Sequence, residues 1–200
     1  MSDINYSILI VGVGGQGVLL ASEILSEVAM NFGLDVKKSE VHGMSQRGGI
    51  VSSHIKIADK VYSPTIRYGQ ADFLISFEQA EGLRAMDWMK KDGAAIVSTT
   101  KLIPAIVTSK KEYNYPLNAI ETMKTKAEKI IAVKADTLAA ELGNPRLVNT
   151  ILMGVLSNFM VFPLELWLDV IRNRVKSKFV DINIEAFNKG REIKLSSVEV

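Results

Sequence analysis

Leu9-Ile10-Val11-Gly12-Val13-Gly14-Gly15-Gln16-Gly17-Val18-Leu19-Leu20-Ala21 joins an apolar, strand-like run to a helix through a turn almost free of Cβ atoms. Glycines 12, 14 and 17 match G-x-G-x-x-G, the phosphate fingerprint of βαβ folds. In that pattern Gly12 permits the tight turn, Gly14 lets backbone approach a pyrophosphate, and Gly17 lets the helix pack on the strand. Gly15 and Gln16 fall inside the same cradle, where N–H groups at the helix start attract an anion. A glycine turn also arises wherever a strand feeds directly into a helix, so the motif alone leaves nucleotide binding and a purely structural turn both open.

Outward from this turn, strands and helices alternate. Tyr6–Val11 reads as the first strand, and Gly15–Phe32 as a helix with apolar residues at 18, 19, 21, 24, 25, 28 and 29, closed by Gly33. Leu34–Val41 and Ile50–Ile57 read as strands, separated by a loop over Gly43–Gly49. Phe73–Phe77 is a buried strand, Glu78–Lys90 a helix and Ala94–Ser98 a strand, while strand Lys129–Val133 lies between helices Leu117–Lys126 and Thr137–Leu142. This order predicts an α/β, Rossmann-like, doubly wound and mainly parallel sheet with helices on both faces. From Asn144 the chain turns helical, over Arg146–Val161, Leu164–Asn173 and Ile184–Lys194. Asn144-Pro145 supplies a cap and a first-turn proline, and Pro163 an end. These helices are expected to cap the sheet or face a partner.

Composition narrows the function classes. The chain has 200 residues, with 24 basic and 22 acidic side chains, a net charge of +2 and 48% hydrophobic residues, enough for one domain with a sizeable core. Its basic residues occur in isolated pairs such as Lys37-Lys38 and Lys90-Lys91, which argues against a nucleic-acid footprint. The absence of cysteine excludes disulfides, thiolate-ligated iron–sulfur clusters and Cys-based zinc sites. With only His42 and His54 present, a histidine-rich metal centre is not expected either. Leu147–Phe162 is apolar but carries Asn149, Thr150, Ser157 and Asn158, so it reads as a core or interface helix and not as a bilayer span. The polar, acid-bearing start Met1–Tyr6 lacks a signal-peptide pattern, which makes the cytoplasm the default location.

A second chemical feature follows the second strand: Glu40-Val41-His42-Gly43-Met44-Ser45-Gln46-Arg47-Gly48-Gly49. A doubly wound sheet places it at the carboxyl edge, beside the first glycine loop, where ligands of such folds bind. Arg47 offers a planar fork for a phosphate or carboxylate, Ser45 and Gln46 add polar groups, and Gly48 exposes backbone. A bland reading pairs Arg47 with Glu40 or with another chain. A conventional NAD site would place an acid at the end of the second strand. Asp35 lies at the wrong edge, and Glu40 runs straight into a glycine loop that would crowd an adenosine.

These residues resemble the gamma-type subunit or domain of the 2-oxoacid:ferredoxin oxidoreductases. The resemblance rests on the glycine turn 12–17, on residues 40–49 with the strand Val51–Ile57, and on Ser63-Pro64 followed by Ala71-Asp72-Phe73-Leu74-Ile75-Ser76-Phe77-Glu78. It continues in Asn149-Thr150-Ile151-Leu152-Met153-Gly154 and in Asn183–Gly190, so it spans nearly the whole chain. The Gly-Met-Ser-Gln-Arg-Gly-Gly run favours the indolepyruvate-type branch.

The resemblance implies one gamma-type domain over residues 1–200, acting as a non-cluster subunit of a thiamine-dependent enzyme. Such an enzyme decarboxylates a 2-oxoacid oxidatively, transfers the acyl group to coenzyme A and passes electrons to ferredoxin. Thiamine diphosphate, Mg and the [4Fe–4S] clusters are then expected on a large alpha-type partner subunit, with no catalytic residue and no tightly bound cofactor on this chain. Coenzyme A is the ligand expected at Gly12, Gly14, Gly15, Gln16, Gly17, Ser45, Gln46, Arg47 and Gly48. The missing cysteines and the missing Gly-Asp-Gly thiamine stretch agree with that division of labour.

Single residues carry less. His42 and His54 read as structural, Trp88 and Trp167 as core or interface, and Asn149 as a lock on the C-terminal helix. Glu78 ends a buried strand at the ligand edge and suits either the cleft or a helix cap. Two other functions stay in view: an autonomous NAD(P)-binding reductase, and an assembly subunit with a vestigial glycine loop.

Overall fold

The computed structural model describes residues 4–43, 49–103 and 114–193. Its strands are β1 (Asn5–Val13), β2 (Asp35–His42), β3 (Ile50–Ala58), β4 (Ala71–Ser76), β5 (Met89–Ser98) and β6 (Ile130–Val133). The helices are α1 (Val18–Asn31), α2 (Gln79–Arg84), α3 (Ala119–Lys126), α4 (Ala135–Glu141), α5 (Val148–Ser157), α6 (Leu164–Arg174) and α7 (Val180–Arg191). The strands form one sheet in the order β2-β3-β1-β4-β5-β6.

The sheet is parallel from β1 through β4 and β5 to β6. On the other side, β3 lies between β1 and β2 and runs antiparallel to both, so β2 points the same way as β1. The cause is the short connection 43–49, which suffices for a hairpin but not for the crossover that parallel neighbours require. Because β1 and β2 share a direction, both of their following loops emerge at the carboxyl edge. The pairings Val13↔Ile50 and His42↔Val51 bring them level there.

Alternation along each strand divides the core. Ile8, Ile10, Ile55, Ile57 and Ile75 face a layer built on α1 and α4 to α7, whereas Leu9, Val11, Leu74, Ala95 and Val97 face the region of α2 and α3. Trp167 is fully buried in the first layer, with its ring 5.6 Å from that of Phe187. Trp88 is half-buried between His54 and Tyr68, at ring distances of 4.9 and 4.3 Å. No described helix is long and apolar enough to cross a membrane.

The element ends follow local chemistry. Gly33, in the left-handed region at φ 96°, closes α1, and the Gly33 and Leu34 amides donate to Met30 O and Ala29 O. Asn144 caps the turn Pro145–Leu147 through its Oδ1 and the Arg146 amide, 3.1 Å away, and α5 follows that turn. One expected helix is cut short: residues 78–90 do not stay helical. α2 ends at Arg84, a 3₁₀ turn occupies Met86–Trp88, and β5 begins at Met89, where a bulge pairs Met89 with Ala71 before Phe73 meets Ala94.

Candidate functional site

The glycine turn departs in detail from the expected division of labour. Gly12 continues β1 and has no left-handed backbone, so a tight turn is not its task. A Cβ there would lie 2.9 Å from Phe77 Cβ and 3.0 Å from Val18 Cγ2, so Gly12 permits close packing between β1, α1 and the end of β4. The conformational demand falls on Gly15 (φ 100°) and Gly17 (φ 88°). Gly17 begins α1 and lies against α5, since a Cβ would stand 2.9 Å from Asn149 Nδ2. A Cβ on Gly15 would meet open space, so its freedom serves the turn and the approach to it, not packing.

Gln16 spans the turn. Its Oε1 accepts from the Val13 amide at 2.7 Å and its Nε2 donates to Phe77 O at 2.9 Å. The side chain thus fastens the turn to the strand end next door, and both of its amide atoms are occupied by backbone. Gly14 faces the other way, its amide donating to Gly49 O at 2.9 Å. The two glycine-rich loops expected at one sheet edge are joined by that bond. Ser45, Gln46, Arg47 and Gly48, the remaining expected site residues, lie outside the described residues.

Between the turn, the start of α1 and the end of the hairpin lies a cavity of about 690 Å³, lined by Val13, Gly14, Gly15, Gly17, Val18, Leu19, Leu20, His42, Gly43 and Val51. Its walls are mostly apolar side chain and glycine backbone. The amides of Gly15, Gly17, Val18 and Leu19 meet no acceptor among the described residues, as the first turn of a helix dictates. An anion with an apolar neighbour fits such a wall. Glu40 stands at the hairpin side of this region, bonded to Lys38 at 2.9 Å and reached by Ser22 Oγ at 3.4 Å. Asp35 sits at the opposite edge, bonded to Lys37 and the Val61 amide.

Glu78 both caps and faces inward. It is 1% exposed. One oxygen accepts the Glu81 amide at 3.0 Å and caps α2, while the other accepts from the Leu102 amide at 3.4 Å and from the Tyr115 hydroxyl. Burial, and then the carboxylate beside it, pushes the Tyr115 phenol above its ordinary range and keeps it a donor. Sequence reading missed Tyr115. The available signal was Glu78 itself, because an acid at the end of a buried strand has two oxygens to satisfy and a helix cap uses one.

His54 is buried in β3. Its Nδ1 accepts from the Ile66 amide at 3.4 Å, and burial pushes the imidazole below its ordinary value. It is a structural histidine, as its strand position suggested. Glu81 shifts upward through burial, an effect opposed by Arg84 at 3.2 Å and reinforced by Glu78. Asn149 touches the glycine turn and accepts the Thr150 amide, and Thr150 Oγ1 donates to Asn183 Oδ1 at 2.7 Å, tying α5 to α7. Among the described residues there is no cluster of carboxylates and histidines able to hold a metal.

Comparison with known proteins agrees with this architecture. Over residues 7–193 the chain matches the family model described as pyruvate ferredoxin/flavodoxin oxidoreductase. It is 39% identical to indolepyruvate oxidoreductase subunit IorB of Pyrococcus horikoshii, over 93% of this chain and 94% of that protein. It is 38% identical to the protein of the same name from Thermococcus kodakarensis, with the same coverage. Among solved structures, the gamma subunit of a keto/oxoacid ferredoxin oxidoreductase from Geobacter sulfurreducens superposes with a TM-score of 0.68 at 26% identity, covering 94% of this chain and 96% of that one. Matched over residues 7–193 by the family model and over nearly its whole length by these relatives, the chain belongs to the pyruvate ferredoxin/flavodoxin oxidoreductase family, as a subunit of a 2-oxoacid:ferredoxin oxidoreductase.

Proposed function

We propose that this chain is the gamma-type, non-cluster subunit of an indolepyruvate-type 2-oxoacid:ferredoxin oxidoreductase in the cytoplasm, one domain over residues 1–200, and that it forms the coenzyme A side of the active centre. The observation that carries this reading is the Gly14 amide on Gly49 O, which unites two glycine-rich loops beside a cavity with free helix-start amides. A large alpha-type partner would hold thiamine diphosphate, Mg and the [4Fe–4S] clusters, groups that would supply the decarboxylation and electron-transfer chemistry. This chain then binds and orients. The amides at the start of α1 receive phosphate charge, Leu19, Leu20 and Val51 exclude water, and Arg47 adds a fork for a phosphate or a partner carboxylate.

An autonomous NAD(P) reductase fits less well. On the hairpin side, the strand beside β1 is the antiparallel β3, whose carboxyl-edge residue is Ile50, so among the described residues no acid ends that strand where a ribose would be held.

The test is Gly14→Val in the complex reconstituted with its partner. A branched side chain in the path of a phosphate should raise the coenzyme A requirement, and Arg47→Ala should weaken coenzyme A binding by about 1.5–3 kcal/mol if Arg47 makes a charge-assisted bond. Arg47→Lys keeps the charge without the fork and should fall between. An assembled Gly14→Val complex with a normal coenzyme A requirement would overturn the reading.

A further inference from the structure

The sheet edge away from the glycine turn has a cavity of its own. It measures about 420 Å³ and lies where β1 and β4 begin. The neighbouring strand β5 is irregular there: Ala71 pairs with Met89 and Phe73 with Ala94, so residues 90–93 bulge out opposite Asp72 alone. The bulge is fastened at both ends. Lys90 pairs with Asp72, whose other oxygen accepts the Ser7 amide at 2.7 Å, and Lys129 Nζ, from just before β6, donates to Asp92 O at 3.2 Å.

Asp92 and Lys129 both line the cavity. The bond between them uses the Asp92 backbone, so the Asp92 carboxylate and two of the three Lys129 N–H groups have no partner among the described residues. Opposite charges therefore stand on adjoining residues without forming an ion pair with each other. The inner wall is aromatic. The ring of Phe73 lies 6.1 Å from that of Tyr6 and 6.0 Å from that of Phe159, which follows the end of α5. Phe73 is buried, whereas Tyr6 and Phe159 are half-buried and open to the cavity. Core packing accounts for Phe73, but not for a free carboxylate and a free ammonium held at the mouth of a space walled by three rings.

We propose that this cavity binds an α-amino acid with an aromatic side chain, at a site separate from the carboxyl edge. The ligand's carboxylate meets Lys129, its ammonium meets the Asp92 carboxylate, and its ring packs on Tyr6, Phe73 and Phe159. An α-amino acid carries both charges on one carbon. That spacing matches a lysine amine bonded to the same residue whose side chain takes the opposite charge. The volume suits one such molecule. Asp92 also sets selectivity, because a 2-oxoacid with the same ring has an oxo group in place of the ammonium and offers no positive charge. The site stands whether or not the first cavity takes coenzyme A.

Titration of the full chain with L-phenylalanine, followed through backbone amide NMR shifts, tests this. The amides of Asp92, Gly93 and Phe159 should shift and saturate below about 10 mM ligand. Phenylpyruvate and 3-phenylpropionate lack the ammonium, phenethylamine lacks the carboxylate and L-alanine lacks the ring; each should bind about five- to tenfold more weakly. Asp92→Asn and Lys129→Met alter exposed side chains and should melt as the wild type does. Each should weaken L-phenylalanine by a similar factor, Asp92→Asn closing the gap to 3-phenylpropionate and Lys129→Met the gap to phenethylamine. If either variant fails to fold, the ligand series on the wild type decides. Shifts confined to the glycine turn, no saturation by about 10 mM, or equal binding across the ligand series would overturn the site, as would wild-type affinity in both variants.

Discussion

His54 shows how one buried side chain acquires a measurable signature. Its imidazole is packed edge-on against Trp88 and accepts the Ile66 amide, so protonation would put charge into an apolar site. Burial lowers its pKa from the ordinary 6.5. In the unfolded chain the same group binds a proton at its ordinary value. As pH falls from about 7 towards 5, the unfolded state therefore takes up more protons than the folded state, and stability is lost. Glu81 acts in the opposite direction and at lower pH, because its raised pKa lets the folded state hold a proton longer than the unfolded one. His54→Gln keeps an acceptor for Ile66 and removes the titration. Denaturant melts across this range should show a wild-type loss that the variant lacks; parallel curves would mean that His54 charges without cost.

At the scale of elements, the crossing of α5 over α7 is the tightest helix contact described. A Cβ on Gly154 would stand 2.1 Å from Phe187 O, and one on Gly190 would stand 2.0 Å from Ile151 O. Backbone cannot yield as a flexible side chain does, so the helices must separate to admit a methyl group. Gly154→Ala and Gly190→Ala should each cost at least about 1–3 kcal/mol, the usual range for overpacking, although alanine favours helix intrinsically. Thermal melting of the two variants checks this, and a stabilised Gly154→Ala would show that the crossing relaxes freely. The same crossing shows what the sequence discloses. Apolar periodicity marked the C-terminal helices, and Asn144-Pro145 marked where they begin, because those signals are local. Backbone contact between two helices is a tertiary fact, and a glycine inside a helix does not name its neighbour. Likewise, the glycine turn and the hairpin loop were legible as one edge, whereas the antiparallel insertion of β3 was not inferred, though the short 43–49 connection encodes it.

Across the whole molecule, the paired loops and the cavity at the helix start lie together at the carboxyl edge, and the sequence offers few groups for redox chemistry. There is no cysteine to hold iron and no Gly-Asp-Gly stretch for thiamine-bound metal. On the function proposed above, this chain orients an acyl acceptor while its partner carries the reacting cofactors, and it gains activity only through association, in keeping with a subunit of a multi-subunit oxidoreductase. The isolated chain should therefore fold cooperatively, retain its helical signal in circular dichroism, contain no stoichiometric iron and reduce neither ferredoxin nor a viologen dye with any 2-oxoacid. Adding the partner subunit should restore coenzyme A-dependent dye reduction, and the activity should saturate at a fixed ratio of the two chains. Titration of a constant amount of partner with this chain reads that ratio directly. Substrate-dependent ferredoxin reduction by the isolated chain, or full activity of the partner without it, would show that the chemistry and the binding are not divided between subunits in this way.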